Sequence, residues 1–124
     1  MPILDIEIVL RPDETLDDKL VLELADRAGE IFSAPSGSTW VKLKTLSQKN
    51  YAENGGNSPA GFFPVFVSVL LARLPAPDKM QIQVATLTAA IAKVCERPEE
   101  NVHIIYLPEG TGRVSFGGRI ISVE

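Results

Sequence analysis

"FFPVFVSVLLARLP", residues 62–75, is an almost unbroken apolar run rich in β-branched residues, and its reading decides the fold. Such a run, ending at a proline-rich turn, reads as a strand buried on both faces near the centre of a sheet. Val65, Val67, Val69 and Leu71 share one phase of its alternation, and Arg73 closes the strand in that same phase. A charge in that position must emerge at a rim or in a pocket.

Outward from this strand the chain reads as two copies of one plan. Downstream, "PDKMQIQVATLTAAIAKVCERP" (77–98) opens with Pro77-Asp78 and stops before Pro98. It sets Val84, Leu87, Ile91, Val94 and Cys95 on one helical stripe. "NVHIIYLP" (101–108) is a short strand, and the glycine-rich "GTGRVSFGGRIISVE" (110–124) leads into a terminal strand or hairpin. Upstream, "MPILDIEIVL" (1–10) alternates Leu4, Ile6, Ile8 and Leu10 against Asp5 and Glu7, so a strand starts at the beginning of the sequence. "RPDETLDD" (11–18) offers a Thr15-x-x-Asp18 cap signal within an apolar series at Leu16, Leu20, Leu24, Ala28 and Ile31, which predicts a helix. "SAPSGS" (33–38) breaks it, and "TWVKLKTL" (39–46) alternates Trp40, Lys42 and Lys44 against Val41 and Leu43 as a second strand. "SQKNYAENGGNSPAG" (47–61) is a long loop or small hairpin between the halves.

Asp18-Lys19-Leu20 recurs as Asp78-Lys79-Met80, sixty residues on, each opening a helix. The expectation is an α+β fold in one domain spanning 1–124, with tandem β-α-β repeats over about 2–46 and 62–108. The repeats share a four-stranded mixed sheet, with two helices on one face and a C-terminal hairpin or strand. The other face of so apolar a sheet needs cover, and copies of the same chain forming a closed symmetric oligomer supply it most simply.

Composition narrows the function. Of 124 residues 45% are apolar and 23% charged, as in ordinary globular proteins, and the net charge of −4 comes with scattered lysines and arginines. That leaves no basic footprint for nucleic acid. No apolar run approaches the roughly 20 residues that cross a bilayer, and the start lacks a signal-peptide pattern, so no membrane association and a cytoplasmic location are expected. The single Cys95 forbids an internal disulfide, reads as a packed core thiol, and with His103 alone makes no zinc site. His103 itself reads as a satisfied imidazole in an apolar strand. No nucleophile elbow, phosphate loop or helical metal-binding pair is present.

Pro2 is the remaining chemical feature. Aminopeptidase normally trims methionine before proline, and trimming here leaves a secondary amine at the tip of the first strand. Free α-amino groups titrate at about pKa 7.7–8.0, and a low-dielectric pocket or neighbouring cation lowers that, making a rigid general base. The bland alternative is an ordinary exposed terminus. For Arg73 the alternatives are a fork holding a substrate carboxylate and a surface salt bridge.

These residues resemble the tautomerase superfamily across the whole chain. The likeness rests on "MPIL" opening a strand, the duplicated β-α-β plan, the "LLARLP" strand end (70–75) and "VSFGGR" (114–119), which looks like a segment of the malonate semialdehyde decarboxylase branch. The resemblance implies a homotrimer with Pro2 as catalytic base or acid and Arg73 binding the carboxylate of a small-molecule substrate. It implies no metal and no organic cofactor. It puts Ser38 where the decarboxylase branch has an aspartate, Trp40 among the pocket aromatics, and Phe116 as an apolar wall, although both rings also suit plain core packing. Arg113 and Arg119 stand where a carboxylate contact across subunits is possible, with solvated hairpin charges as the alternative. The activity implied is tautomerisation of a 2-oxo acid or its enol; decarboxylation, dehalogenation or hydration of a three-carbon acid, and a non-catalytic binding or signalling module, are the alternatives.

Overall fold

The computed structural model describes residues 1–56 and 61–122; part of the expected 47–61 loop and the last two residues lie outside that range. The elements run β1 (Ile3–Val9), α1 (Leu20–Ile31), β2 (Trp40–Leu46), β3 (Val65–Leu70), α2 (Pro77–Cys95), β4 (Val102–Tyr106), β5 (Ser115–Phe116) and β6 (Arg119–Ile120). Four strands form one mixed sheet in the order β2-β1-β3-β4. β1 pairs parallel with β2, β3 parallel with β4, and β1 antiparallel with β3. The architecture is therefore the mixed α+β sheet read from the sequence.

Alternation decides which face is buried. Leu4, Ile6 and Ile8 of β1 and Val65, Val67 and Val69 of β3 point to one side, where Leu24 and Ala28 of α1 and Leu87 and Ile91 of α2 close the core. Both helices pack on that side, against each other and over the outer strands. None of the helices among the described residues is long and apolar enough to cross a membrane.

The opposite face departs from expectation. The register aligns three rows across it: Trp40-Ile3-Leu70, then Lys42-Asp5-Ser68-Ile105, then Lys44-Glu7-Phe66-His103. Only the first row is wholly apolar, and Lys42 Nζ lies 3.1 Å from Asp5 Oδ1. β3 is thus central but only half-buried on this side, where Phe66 meets the Tyr51 ring at 5.9 Å and Ser68 and Leu70 stay partly exposed. His103 is not a satisfied core imidazole. It is exposed, with its ring centroid 5.7 Å from that of Phe66.

Helix α1 also starts later than its cap signal suggested. Lys19 is the N-cap and makes no side-chain cap bond; Asp17 Oδ1 accepts the Lys19 amide at 2.8 Å in a tight turn instead. α2 begins at Pro77, whose missing N–H costs nothing in the first turn. It ends with Glu96 in the left-handed region at φ 55° and the Arg97 amide bonded to the Ala92 carbonyl at 2.9 Å.

That helix ending delivers Arg97 into the interior. Its guanidinium meets Glu14 at 2.7 and 3.0 Å and also donates to the Val9, Cys95 and Phe63 carbonyls. The hydrogen bond from Arg97 is the main cause holding the Glu14 carboxyl below its usual range, with burial working in the opposite direction. A depressed carboxylate adds stability above its unfolded pKa of about 4.3 and loses it as pH falls through the folded value. Glu14→Gln is therefore expected to flatten the acid limb of the stability curve between about pH 5 and pH 3 relative to wild type, as read by urea unfolding across that range. A wild-type acid limb in Glu14→Gln would show that the pair does not set the acid stability. Cys95 is a packed thiol as expected, 4% exposed, and burial pushes its pKa up to about 11, so it is no nucleophile at neutral pH.

Candidate active site

One end of the sheet gathers segments from both ends of the chain. The Pro2 carbonyl accepts the Trp40 amide at 2.9 Å, extending the β1–β2 ladder by a residue. The antiparallel partner of Ile3 is Leu70, so Pro2 follows in register beside Leu71. Beyond β3, the Gly110 amide bonds the Leu71 carbonyl at 2.8 Å and the Thr111 hydroxyl bonds the Ala72 carbonyl at 2.7 Å. These bonds tie the base of the β5–β6 hairpin to the strand end next to Pro2. The hairpin turns at Gly117-Gly118, where φ values of 59° and 92° require glycine.

A cavity of about 220 Å³ opens there, lined by Met1, Ile3, Gly37, Ser38, Trp40 and Phe116. Pro2 itself is buried, and Met1 is half-buried. The Trp40 ring has two contacts: its Nε1 donates to the Gly37 carbonyl at 3.1 Å, and it meets the Phe116 ring in a T-shaped pair, with centroids 5.2 Å apart at 80°. The Ser38 hydroxyl donates to the Pro35 carbonyl at 2.7 Å, pinning the 33–39 turn. The walls are thus chiefly apolar, with polar atoms engaged in holding the turn.

Set over this topology, solved structures of similar shape are numerous. Macrophage migration inhibitory factor from Trichinella spiralis aligns with a TM-score of 0.72 at 16% identity, over 95% of this chain and 98% of that one. The F6 fused 4-OT trimer aligns at 0.72 and 19%, over 94% of each chain, and FG41 malonate semialdehyde decarboxylase inhibited by 3-bromopropiolate at 0.69 and 15%, over 93% and 88%.

The chain has the tautomerase-superfamily fold.

At these identities the tautomerase fold is what the likeness carries; no protein-family model matches the sequence, and no curated protein sequence matches it significantly. Within this tautomerase fold the six residues singled out from sequence fall into two groups. Ser38, Trp40 and Phe116 come together in the cavity wall, and Pro2, itself buried, stands in the chain between two further lining residues, Met1 and Ile3. The two arginines stand outside it. β3 ends at Leu70 rather than at Arg73, which lies in the following bend, exposed and with no side-chain ion pair among the described residues. That bend is fixed by the Leu74 amide donating to Glu109 Oε1 at 3.2 Å. Arg113 is turned away: Nε and a terminal nitrogen donate to the Glu109 and Pro108 carbonyls at 2.9 and 3.0 Å, so within one chain it braces its own turn.

Sequence reasoning passed over Met1, Ile3 and Gly37. Ile3 carried a usable signal, being an apolar residue in phase with Asp5 and Glu7 on the polar side of its strand. Gly37, at φ 81°, gave only the generic mark of a turn.

Proposed function

We propose that this chain is a proton-transfer enzyme, a tautomerase acting on a small 2-oxo acid or its enol, in which trimming of Met1 frees the Pro2 nitrogen as the general base. The observation that carries the reading is a cavity lined by both chain neighbours of Pro2, Met1 and Ile3, together with Ser38, Trp40 and Phe116, so that the residue processing removes is itself part of the wall. A rigid secondary amine facing an apolar cavity is favoured in its neutral form. It takes a proton from the carbon next to the substrate carbonyl and returns it to the other end of the enolate, so the amine is regenerated without a cofactor.

Arg73, outside the cavity wall but two residues beyond Leu71 on the strand end beside Pro2, is assigned the substrate carboxylate. Unlike Arg113, its side chain makes no bond to a backbone carbonyl among the described residues, and its fork holds a carboxylate through paired hydrogen bonds while offsetting enolate charge. The test is ketonisation of enol phenylpyruvate and of 2-hydroxymuconate by the purified protein. Turnover supports the reading. Turnover only of a 3-halo-acrylate or of malonate semialdehyde would move the chemistry to dehalogenation or decarboxylation, and turnover of none would favour a binding module.

The assembly proposed is a homotrimer. Trp40, Ile105 and Ile120 are 52–64% exposed in the single chain, and the F6 fused 4-OT structure of the same fold is a trimer. Apolar exposure of this kind marks an interface. Sedimentation equilibrium is expected to give three times the chain mass; a monomer at micromolar concentration would contradict it.

A further inference from the structure

Gly110 is buried and does not have the positive φ that explains most glycines in this chain. Space explains it instead. A Cβ on Gly110 would stand 2.8 Å from the Met1 methyl carbon, 3.2 Å from Val114 Cγ2 and 3.4 Å from the Leu71 carbonyl oxygen. The Met1 side chain therefore lies in a slot whose depth is set by the missing side chain at residue 110. The same Met1 also lines the 220 Å³ cavity, so this one side chain borders both the cavity and Gly110.

We propose that this slot is the subsite for the substrate's side chain, that Gly110 and Val114 set its length, and that the substrate is a 2-oxo acid carrying an unbranched apolar chain about as long as methionine's. The inference rests on the reading that Met1 is removed and Pro2 is the base. Met1 is bonded through its carbonyl carbon to the Pro2 nitrogen, so a group that replaces it begins beside that nitrogen, where a reacting carbon has to sit at about 3–3.5 Å. From that point the slot leads to Gly110 and Val114, neither of which carries charge. The Leu71 carbonyl oxygen beside Gly110 already accepts the Gly110 amide at 2.8 Å. A chain of methylene or thioether atoms fits such surroundings, and a second carboxylate does not.

The test is hydrogen–deuterium exchange at C3 of pyruvate, 2-oxobutanoate and 2-oxohexanoate in D2O, followed by proton NMR, for wild type, Gly110→Ala and Val114→Ala. Wild type is expected to prefer 2-oxohexanoate to pyruvate in kcat/KM. Gly110→Ala is expected to lower that preference by about tenfold or more, chiefly through KM, the usual worth of a lost methylene's space. Should the added methyl crowd Val114 enough to prevent folding, Val114→Ala decides, because widening the slot is expected to raise the preference for the longer acid. Exchange in wild type with a chain-length preference that neither variant changes overturns the subsite alone. No exchange in wild type, together with a Pro2 that 3-bromopropiolate leaves unmodified, overturns the Pro2 reading and the subsite with it.

Discussion

Replacing Arg97 by alanine is expected to lower the unfolding free energy by about 3–5 kcal/mol. The Arg97 side chain is fully buried and joins four segments: Glu14 in the loop before α1, Val9 at the end of β1, Phe63 ahead of β3, and Cys95 at the end of α2. Alanine removes the charge and leaves the Glu14 carboxylate, 17% exposed, without its main partner, and three carbonyl oxygens short of a donor. Stranding a partly buried charge is what makes the loss large; the intact pair itself contributes far less. Arg97→Lys is expected to recover little, since one ammonium cannot span the fork that Glu14 and the three carbonyls define. Adding Glu14→Gln to Arg97→Ala should restore part of the loss, which a double-mutant cycle by urea unfolding at fixed protein concentration measures. A loss below about 1 kcal/mol for Arg97→Ala would mean that water replaces the guanidinium at little cost, contrary to the burial seen.

Pro2→Ala is expected to reduce kcat/KM for enol ketonisation by about a hundredfold or more, within the range that general acid–base groups contribute. Alanine also permits methionine removal, so the variant still ends in an amine, but a primary one on a freely rotating Cα without the ring that aims the lone pair. The backbone carbonyl of the second residue still accepts the Trp40 amide in the variant, so unfolding midpoints should stay close to wild type. Arg73→Ala is expected to act differently, raising KM more than it lowers kcat, because a carboxylate anchor serves the ground state as well as the transition state. Equal activity in Pro2→Ala would detach the chemistry from the amino terminus.

The elements were legible wherever one periodicity ran uninterrupted. β1 alternates from Ile3 to Ile8 and β2 from Trp40 to Lys44, and the α2 stripe through Leu87, Ile91 and Cys95 marks its buried side, so type and order followed directly. The cavity wall was half legible: Trp40 and Phe116, far apart in sequence, were named as pocket candidates, yet their contact depends on how the β5–β6 hairpin folds back, which short-range pattern does not specify. Arg97 was illegible. Its sequence context, "ERP", reads only as a helix ending, and its partner Glu14 lies 83 positions away, a pairing that leaves no periodic trace. The polar rows of the open sheet face were visible as Asp5, Glu7, Lys42 and Lys44, but their cross-strand alignment needed the register. The bonds of Arg113 within its own turn were not legible either: its carbonyl partners are local backbone atoms, and nothing in side-chain identity announces them.

Whether the Pro2 nitrogen is free and reactive can be read from intact-mass analysis of the purified protein before and after exposure to 3-bromopropiolate, with peptide mapping of any adduct. The expected result is a mass lacking Met1 and a single adduct on the Pro2 nitrogen, lost when enol substrate is present in excess. A chain that keeps Met1, or a reagent that leaves the amino-terminal peptide untouched, would rule out Pro2 as the base.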